Sequence, residues 1–423
     1  MLANTFAQFM RDKKSYFNII FILGLLTAIG PFSIDMYLPA FPAIAKGLNT
    51  TVAQVMLSLS SFFIGISAGQ LIYGPLLERF GRKKPLYVGL IIYLFASAGC
   101  AFTQSVSALI TFRFLQALGS CAGLVTSRAM VRDLFDVKDN AKVFSSLMLV
   151  VAVSPIIAPT VGGYVTAALG WRYVFAALMI VDAAVLAAVV FLLPESKAPD
   201  PSHSLRPNAV TKNFFKIIIH PQFYIYALTG SIAASGLYAY ISGSPQVFIE
   251  FFGVSEKQYG WIFAIIAVGI ITTSQINTLI LRRYPSEKII PVALMFQSAI
   301  GITLAGISFV GGSEFYSTIA LIFLYISCQG FIFPNASALT LANFGHSAGN
   351  ASALMGALQM GIGALASAGV SLLQNNTTLP MTGMMAFCSV TALSIFILGR
   401  KATVKKPPVK DVEEEDIEMI SGL

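Results

Sequence analysis

The sequence predicts an all-α integral membrane protein, twelve transmembrane helices arranged as two six-helix halves. Three observations carry that prediction. Of 423 residues, 56% are hydrophobic and only 11% charged, against about 25% charged in an ordinary soluble domain. The apolar residues gather into twelve runs, centred near residues 28, 64, 93, 116, 153, 181, 232, 268, 299, 327, 359 and 389. Each run is about 20 residues long, enough to cross a hydrocarbon core of roughly 30 Å. One proline-rich polar stretch separates the first six runs from the last six.

The elements follow in order. Residues 1–16 form an N-terminal segment with three cations, and 17–193 hold the first six-helix bundle. Residues 194–220, beginning Pro194-Glu-Ser-Lys-Ala-Pro-Asp-Pro, read as a linker. Residues 221–399 hold the second bundle. The tail 400–423 is basic, then acidic through Glu413–Asp416, and reads as disordered. Of 27 Lys and Arg, 23 lie in the N-terminal segment, the turns 79–84, 128–142, 194–220 and 281–288, and the tail. The intervening loops hold only Lys46, Arg172 and Lys257, so both termini and the linker are expected in the cytoplasm. Met1–Tyr16 has no small-residue cleavage site, which makes the first span a retained helix.

Much chemistry is excluded. The net charge of +8 sits at membrane edges, where lipid headgroups account for it better than a nucleic-acid partner does. No Gly-x4-Gly-Lys-(Ser/Thr) occurs, and Gly361-Ile-Gly363-Ala-Leu-Ala366 lies in an apolar span with no preceding strand. Three isolated histidines and four cysteines in apolar runs (Cys100, Cys121, Cys328, Cys388) show no metal-ligand spacing. No metal, cofactor or catalytic residue is expected, and the protein is not read as an enzyme. Gly65-x-x-x-Gly69 and Gly119-x-x-x-Gly123 read as close-packing sites.

Three ionisable residues fall within spans, each costing roughly 2.5–3.5 kcal/mol at a helix centre. Asp35, in Gly30-Pro31-Phe-Ser-Ile-Asp35-Met-Tyr37-Leu-Pro39, lies where two prolines weaken the helix. Burial disfavours a charged carboxylate, so Asp35 suits proton loading and release; a solvated helix-end acid is the alternative. Arg113 cannot shed its proton, so it needs a partner such as Asp35 or substrate, unless it snorkels to an interface. Asp182 is expected to hydrogen-bond a neighbouring helix.

The second half has no mid-span charge. It offers Tyr238, Tyr240, Gln275, Tyr325, Gln329, Phe333, Asn335 and Gln359 instead. With Tyr37 and Gln116 from the first half, such groups suit a cavity for small amphipathic molecules. Any of them serves equally as a helix-packing residue.

The turn Gly74-Pro-Leu-Leu-Glu78-Arg79-Phe-Gly81-Arg82-Lys83-Lys84 holds more than topology needs. Its pattern, Gly-x-x-x-(Asp/Glu)-Arg-x-Gly-Arg-Lys between spans 2 and 3, resembles the signature loop of the major facilitator superfamily of secondary transporters. Leu281-Arg-Arg-Tyr-Pro-Ser-Glu-Lys288, between spans 8 and 9, is a faint second copy without glycines. The resemblance implies that helices 2 and 11 meet across the halves. Gly74, Glu78, Arg79, Gly81, Arg82 and Asp133 then form a conformational switch. Glu78 would dock on the amino end of helix 11, capped by Ser347 or Asn350, while Arg82 pairs with Asp133.

The resemblance extends along the chain. Leu23-Gly-Leu-Leu-Thr27 through Asp35-Met-Tyr-Leu-Pro39-Ala-Phe-Pro42 is similar to helix 1 of the bicyclomycin- and chloramphenicol-resistance (Bcr/CflA) drug–proton antiporters. Arg113-Phe-Leu-Gln-Ala-Leu-Gly119 matches their helix 4, and Gly349–Gly356 the start of their helix 11. Pro155, Pro159, Gly162 and Gly163 resemble the antiporter motif of helix 5, with Ala158 in place of a glycine. Glu78 replaces a commoner Asp, and Thr27 stands where some related exporters carry a second acid. The resemblance implies drug or multidrug efflux in exchange for protons by alternating access, with Asp35 and Arg113 in coupling. It also implies a monomer in a bacterial inner membrane whose partners are small molecules, protons and the bilayer. A proton-coupled uptake symporter or metabolite exporter of the same fold is the first alternative. A non-transporting sensor or scaffold is the second, and the retained Asp35 and Arg113 count against it. The cation pattern makes a direct prediction. Reporter fusions at residues 48, 105, 312 and 376 will all read outside and one at 205 inside; one inverted loop breaks the two-half assignment.

Overall fold

A bilayer core offers a peptide group no hydrogen-bond partner, so a spanning chain must satisfy its backbone within helices. The computed structural model describes residues 13–135, 137–201, 214–344 and 348–403. Ser347 and parts of the N-terminal segment, linker and tail expected at 1–16, 194–220 and 400–423 lie outside them.

Twelve long helices follow one another. The first half comprises α1 (Lys13–Asp35), α2 (Val52–Phe80), α3 (Lys83–Phe102), α4 (Val106–Leu134), α5 (Val137–Leu169) and α6 (Arg172–Leu192). The second comprises α7 (Pro221–Pro245), α8 (Glu256–Ile280), α9 (Ser286–Phe309), α10 (Phe315–Leu341), α11 (Ala348–Leu372) and α12 (Leu379–Thr403). Eleven are long and apolar enough to cross a membrane. α7 is as long as its neighbours but carries Thr229, Ser231, Ser235, Ser242 and Ser244, all buried. It sits inside the second half against α10, α11 and α12.

Local sequence explains the ends and breaks. Thr51 and Ser105 cap α2 and α4 by accepting from the Gln54 and Ala108 amides at 3.3 and 3.2 Å. Ser255 and Gln258 form a capping box at α8. α1 contains Pro31 and stops at Asp35; a 3-10 turn at Leu38–Ala40 and a short helix at Phe41–Gly47 follow. Pro39 and Pro42 cannot donate to a continuing helix. α10 is two 13-residue pieces meeting at Cys328. There the Thr273 hydroxyl donates to the Ser327 carbonyl at 2.6 Å.

Lipid chains are as apolar as leucine, so close contact rather than water exclusion holds spans together. A Cβ added at Gly65 would sit 2.6 Å from the Ala117 Cβ and the Phe114 carbonyl of α4. One at Gly119 would sit 2.6 Å from the Tyr93 backbone nitrogen of α3, and one at Gly123 2.8 Å from the Leu26 carbonyl of α1. The two small-residue pairs read from the sequence thus join α4 to three neighbours.

The halves meet along two symmetry-related pairs, α2 with α11 and α5 with α8. Ser60 and Ser367 hydroxyls lie 2.8 Å apart, Ser67 donates to the Ala357 carbonyl at 2.7 Å, and Ser371 donates to the Ala53 carbonyl at 2.5 Å. Overpacking a tight contact typically costs about 1–3 kcal/mol. Gly119→Leu will therefore lower the thermal unfolding midpoint of purified protein. Gly306→Ala, where nothing lies within 4 Å of an added Cβ, will leave it unchanged or raise it.

Candidate functional site

The α2–α3 turn is built on Gly81, whose φ of 81° is a conformation that favours glycine. Even there, a Cβ would lie 3.1 Å from the Lys197 carbonyl. The turn delivers Arg82, 3% exposed, to two acids. Its Nε donates to Asp133 Oδ2 at 2.7 Å and Nη2 to Oδ1 at 3.3 Å, a two-pronged pair. Its Nη1 donates to Glu78 Oε1 at 2.9 Å. Burial works against the guanidinium charge, but Asp133 and then Glu78 outweigh it and hold the Arg82 pKa above its ordinary value.

Arg82 and Asp133 are thus brought together as expected, whereas Glu78 faces elsewhere. Its second oxygen accepts from the Lys197 ammonium, not from the amino end of α11. Two full cations attract a carboxylate more strongly than a helix end carrying about +0.5 charge. Close to that end lies Arg132 instead, its Nη1 3.7 Å from a Cβ built on Gly349. Asn350 is exposed in the first turn of α11. Arg79 sets its guanidinium 5.9 Å from the Phe80 ring centre, and Gly74 has open space around it.

Sequence reasoning missed the strap that closes this cluster. Glu195, just past α6, accepts from the Arg82 and Lys83 amides at 2.8 and 3.0 Å and so satisfies the start of α3. Ser196 donates to Asp133 Oδ2 at 2.9 Å, and the Lys83 ammonium donates to the Leu193 carbonyl at 2.6 Å. The available signal was an acid directly after the sixth apolar run, on the same side as the basic turn.

Arg113, fully buried on α4, is not paired with Asp35. Its Nη1 donates to Gln116 Oε1 at 2.5 Å and its Nη2 to the Ser33 carbonyl at 2.9 Å. The guanidinium lies between the Tyr37 and Phe62 rings, 4.1 Å from each centre. The carbonyl is free because α1 ends at Asp35, so the Tyr37 amide does not close the next rung of the helix on it. Asp182 is also fully buried. The hydrogen bond expected for it is not made; neither carboxylate oxygen has a partner among the described residues.

Asp35 is 4% exposed and ends α1 where the following turn meets α5, α7 and α8. Its electrostatic neighbours are Tyr238, Tyr240 and Tyr259, all in the second half. The helix 5 motif makes this junction. A Cβ on Gly162 would lie 2.7 Å from the Met36 carbonyl carbon, and one on Gly163 3.0 Å from that of Glu256 on α8. Opposite them, a Cβ on Gly260 would lie 3.0 Å from the Pro159 carbonyl. Pro155 and Pro159 both lie within α5.

Eight of the ten expected cavity residues divide between two roles. Tyr238 packs its ring 4.8 Å from Phe63 across the halves and interacts with Gln359, while Tyr240 stacks on Phe263 with its hydroxyl unpaired among the described residues. Phe333 and Gln359 line one gap of about 10 Å³. Tyr37, Gln116, Tyr325 and Gln329 are consumed by helix packing. Tyr325 donates to the Met385 carbonyl at 2.6 Å, Gln329 to the Ala233 carbonyl at 2.5 Å, and Gln116 to Ser97 at 2.7 Å.

Twelve helices in two halves, joined through α2–α11 and α5–α8, define a polytopic membrane transporter. The chain matches the Major Facilitator Superfamily over residues 23–368 and belongs to that family. It is 32% identical over 394 residues to the uncharacterized MFS-type transporter YdgK of Bacillus subtilis (strain 168), covering 91% of this chain and 96% of that one. It is 30% identical over 384 residues to the bicyclomycin resistance protein homolog of Haemophilus influenzae, with the same coverage of 91% and 96%. Among solved structures it resembles a D-xylose-proton symporter, with a TM-score of 0.71 at 14% identity over 90% of this chain and 97% of that one. That likeness is one of fold.

Groups sharing one ion-pair network couple by about 0.5–3 kcal/mol. A thermal-unfolding cycle of Arg82→Ala, Asp133→Ala and the double variant will give a coupling energy in that range. The double variant will be more stable than the sum of the single losses implies.

Proposed function

We propose that this protein exports small amphipathic compounds, antibiotics among them, in exchange for protons by alternating access. One observation carries the reading: a buried carboxylate, Asp35, ends α1 at the junction of the halves, with three tyrosines of the second half as its electrostatic neighbours and no ion-pair partner among the described residues. A group so placed is exposed to opposite sides as the halves rock, and substrate and proton compete for it. On the cytoplasmic side Asp35 releases its proton and the compound enters. On the far side the compound leaves and Asp35 is protonated again. Arg113 acts as a positioning residue, fixing the end of α1 through the Ser33 carbonyl. The relative named for bicyclomycin resistance supports the drug-export direction.

The moving units in this reading are residues 17–193 and 221–399, with 194–220 joining them. The Glu78–Arg82–Asp133 cluster, with the Glu195–Lys197 strap, braces the first unit as it turns. The cation distribution supports cytoplasmic termini, and a monomer in the inner membrane that transports and carries out no enzymatic reaction completes the reading.

Asp35→Asn keeps the size of the side chain and removes its titration. In inverted vesicles, bicyclomycin accumulation driven by a pH gradient will fall to background in this variant, with expression and thermal stability retained. Proton release on adding the compound to purified protein will vanish with it. Normal pH-driven accumulation by Asp35→Asn would move coupling to another acid, with Asp182 next in line.

A further inference from the structure

The second copy of the signature loop has lost its glycines and carries Leu281, not an acid, ahead of its first arginine, but it keeps its cations. Arg282, Arg283 and Lys288 are exposed, and their side-chain charges have no partner among the described residues. In the first copy Arg82 and Lys83 are tied to protein groups. Glu287, exposed in the same turn, offsets only one of these three charges, so the turn keeps a net positive charge that calls for an anion from outside the chain.

The turn is nevertheless hydrogen-bonded to its neighbours. Ser286 donates to Asn335 Oδ1 at 2.6 Å, and Asn335 Nδ2 donates to Asn277 Oδ1 at 2.8 Å. Asn335, expected in a substrate cavity, instead clamps this turn to α8 and α10. Adjoining the clamp is a groove of about 670 Å³ between α8, α9 and α10. Lys288 and Tyr284 stand at one end of it, and Val292, Phe296 and Leu324 along it are 48%, 64% and 50% exposed. From Lys288 to Ile300 the groove follows α9 for roughly 18 Å at 1.5 Å per residue. One leaflet's share of a core of roughly 30 Å is about that deep. The corresponding groove between α2, α3 and α4, about 420 Å³ with Lys84 at its end, shows the same construction.

We propose that the α8–α9–α10 groove and the Arg282–Arg283–Lys288 turn form a binding site for an anionic phospholipid. One acyl chain lies along the groove, and the phosphate-bearing headgroup faces the three cations. The shape selects a chain rather than a free anion, and the charge selects acidic over zwitterionic headgroups.

The test titrates purified full-length protein with phosphatidylglycerol and with phosphatidylcholine of matched chains, reading bound lipid by native mass spectrometry. Wild type will retain phosphatidylglycerol in preference to phosphatidylcholine. Juxtamembrane cations contribute roughly fivefold each, so Arg282→Gln/Arg283→Gln/Lys288→Gln will weaken phosphatidylglycerol retention on the order of 100-fold. Val292→Trp, which fills the groove without touching a cation, will weaken retention of both lipids. Thermal unfolding without added lipid will match wild type in both variants, since every altered side chain is exposed. Equal retention of the two lipids by wild type overturns the proposal, as does undiminished phosphatidylglycerol binding by the triple variant.

Discussion

Arg113 is a permanent charge at the centre of an apolar bundle, and the first half is arranged around it. A guanidinium cannot neutralise itself, and no carboxylate is supplied to it. Five helices share the task. α4 carries the residue and Gln116, α1 contributes the Ser33 carbonyl, and the turn just after α1 contributes Tyr37. α2 contributes Phe62, α6 the more distant Phe175 at 6.0 Å, and α3 the Ser97 that orients Gln116. The break in α1 follows from the same demand, since a regular helix would keep that carbonyl for itself. The break that frees a carbonyl for Arg113 also leaves Asp35 at the helix end, turned to the other half.

The junction between the halves is made differently. Where α2 meets α11 the bonds are hydroxyl to hydroxyl or hydroxyl to carbonyl, and where α5 meets α8 glycines let backbones touch. Such contacts lose little when they part, because a neutral hydroxyl finds water or another carbonyl readily. Among the described residues the ion pairs lie within the first half and between it and the start of the linker, at Arg82, Glu78 and Lys197. In the alternating access proposed above, strength then lies inside a moving unit and exchangeable contacts lie between units.

Length, span count and side-to-side charge were legible in the sequence because they rest on local composition, which a bilayer enforces residue by residue. Asp35, Arg113 and the α2–α3 turn were legible for a related reason: a charge or a glycine that spanning does not need stands out against apolar neighbours. Partners were harder to read. Arg82 and Asp133 were found because both lie at helix ends on the same side. Glu195 and Lys197 were missed because they meet Arg82 and Glu78 across more than a hundred residues, and proline-rich composition marks a linker without saying what it touches. The pairing of Arg113 with Asp35 failed for a physical reason. An acid invites a cation on paper, but carbonyls and aromatic faces can hold one equally well.

Asp35, Arg113 and Asp182 all belong to the first half, and α7 to α12 carry no charge at mid-span. A transmembrane potential acts only on charge, with about 2.3 kcal/mol per elementary charge for every 100 mV. The field of an energised membrane therefore grips one half of the molecule and passes the other by. In the proton exchange proposed above, the first half is the electrical lever and the second an insulating wall against which it turns.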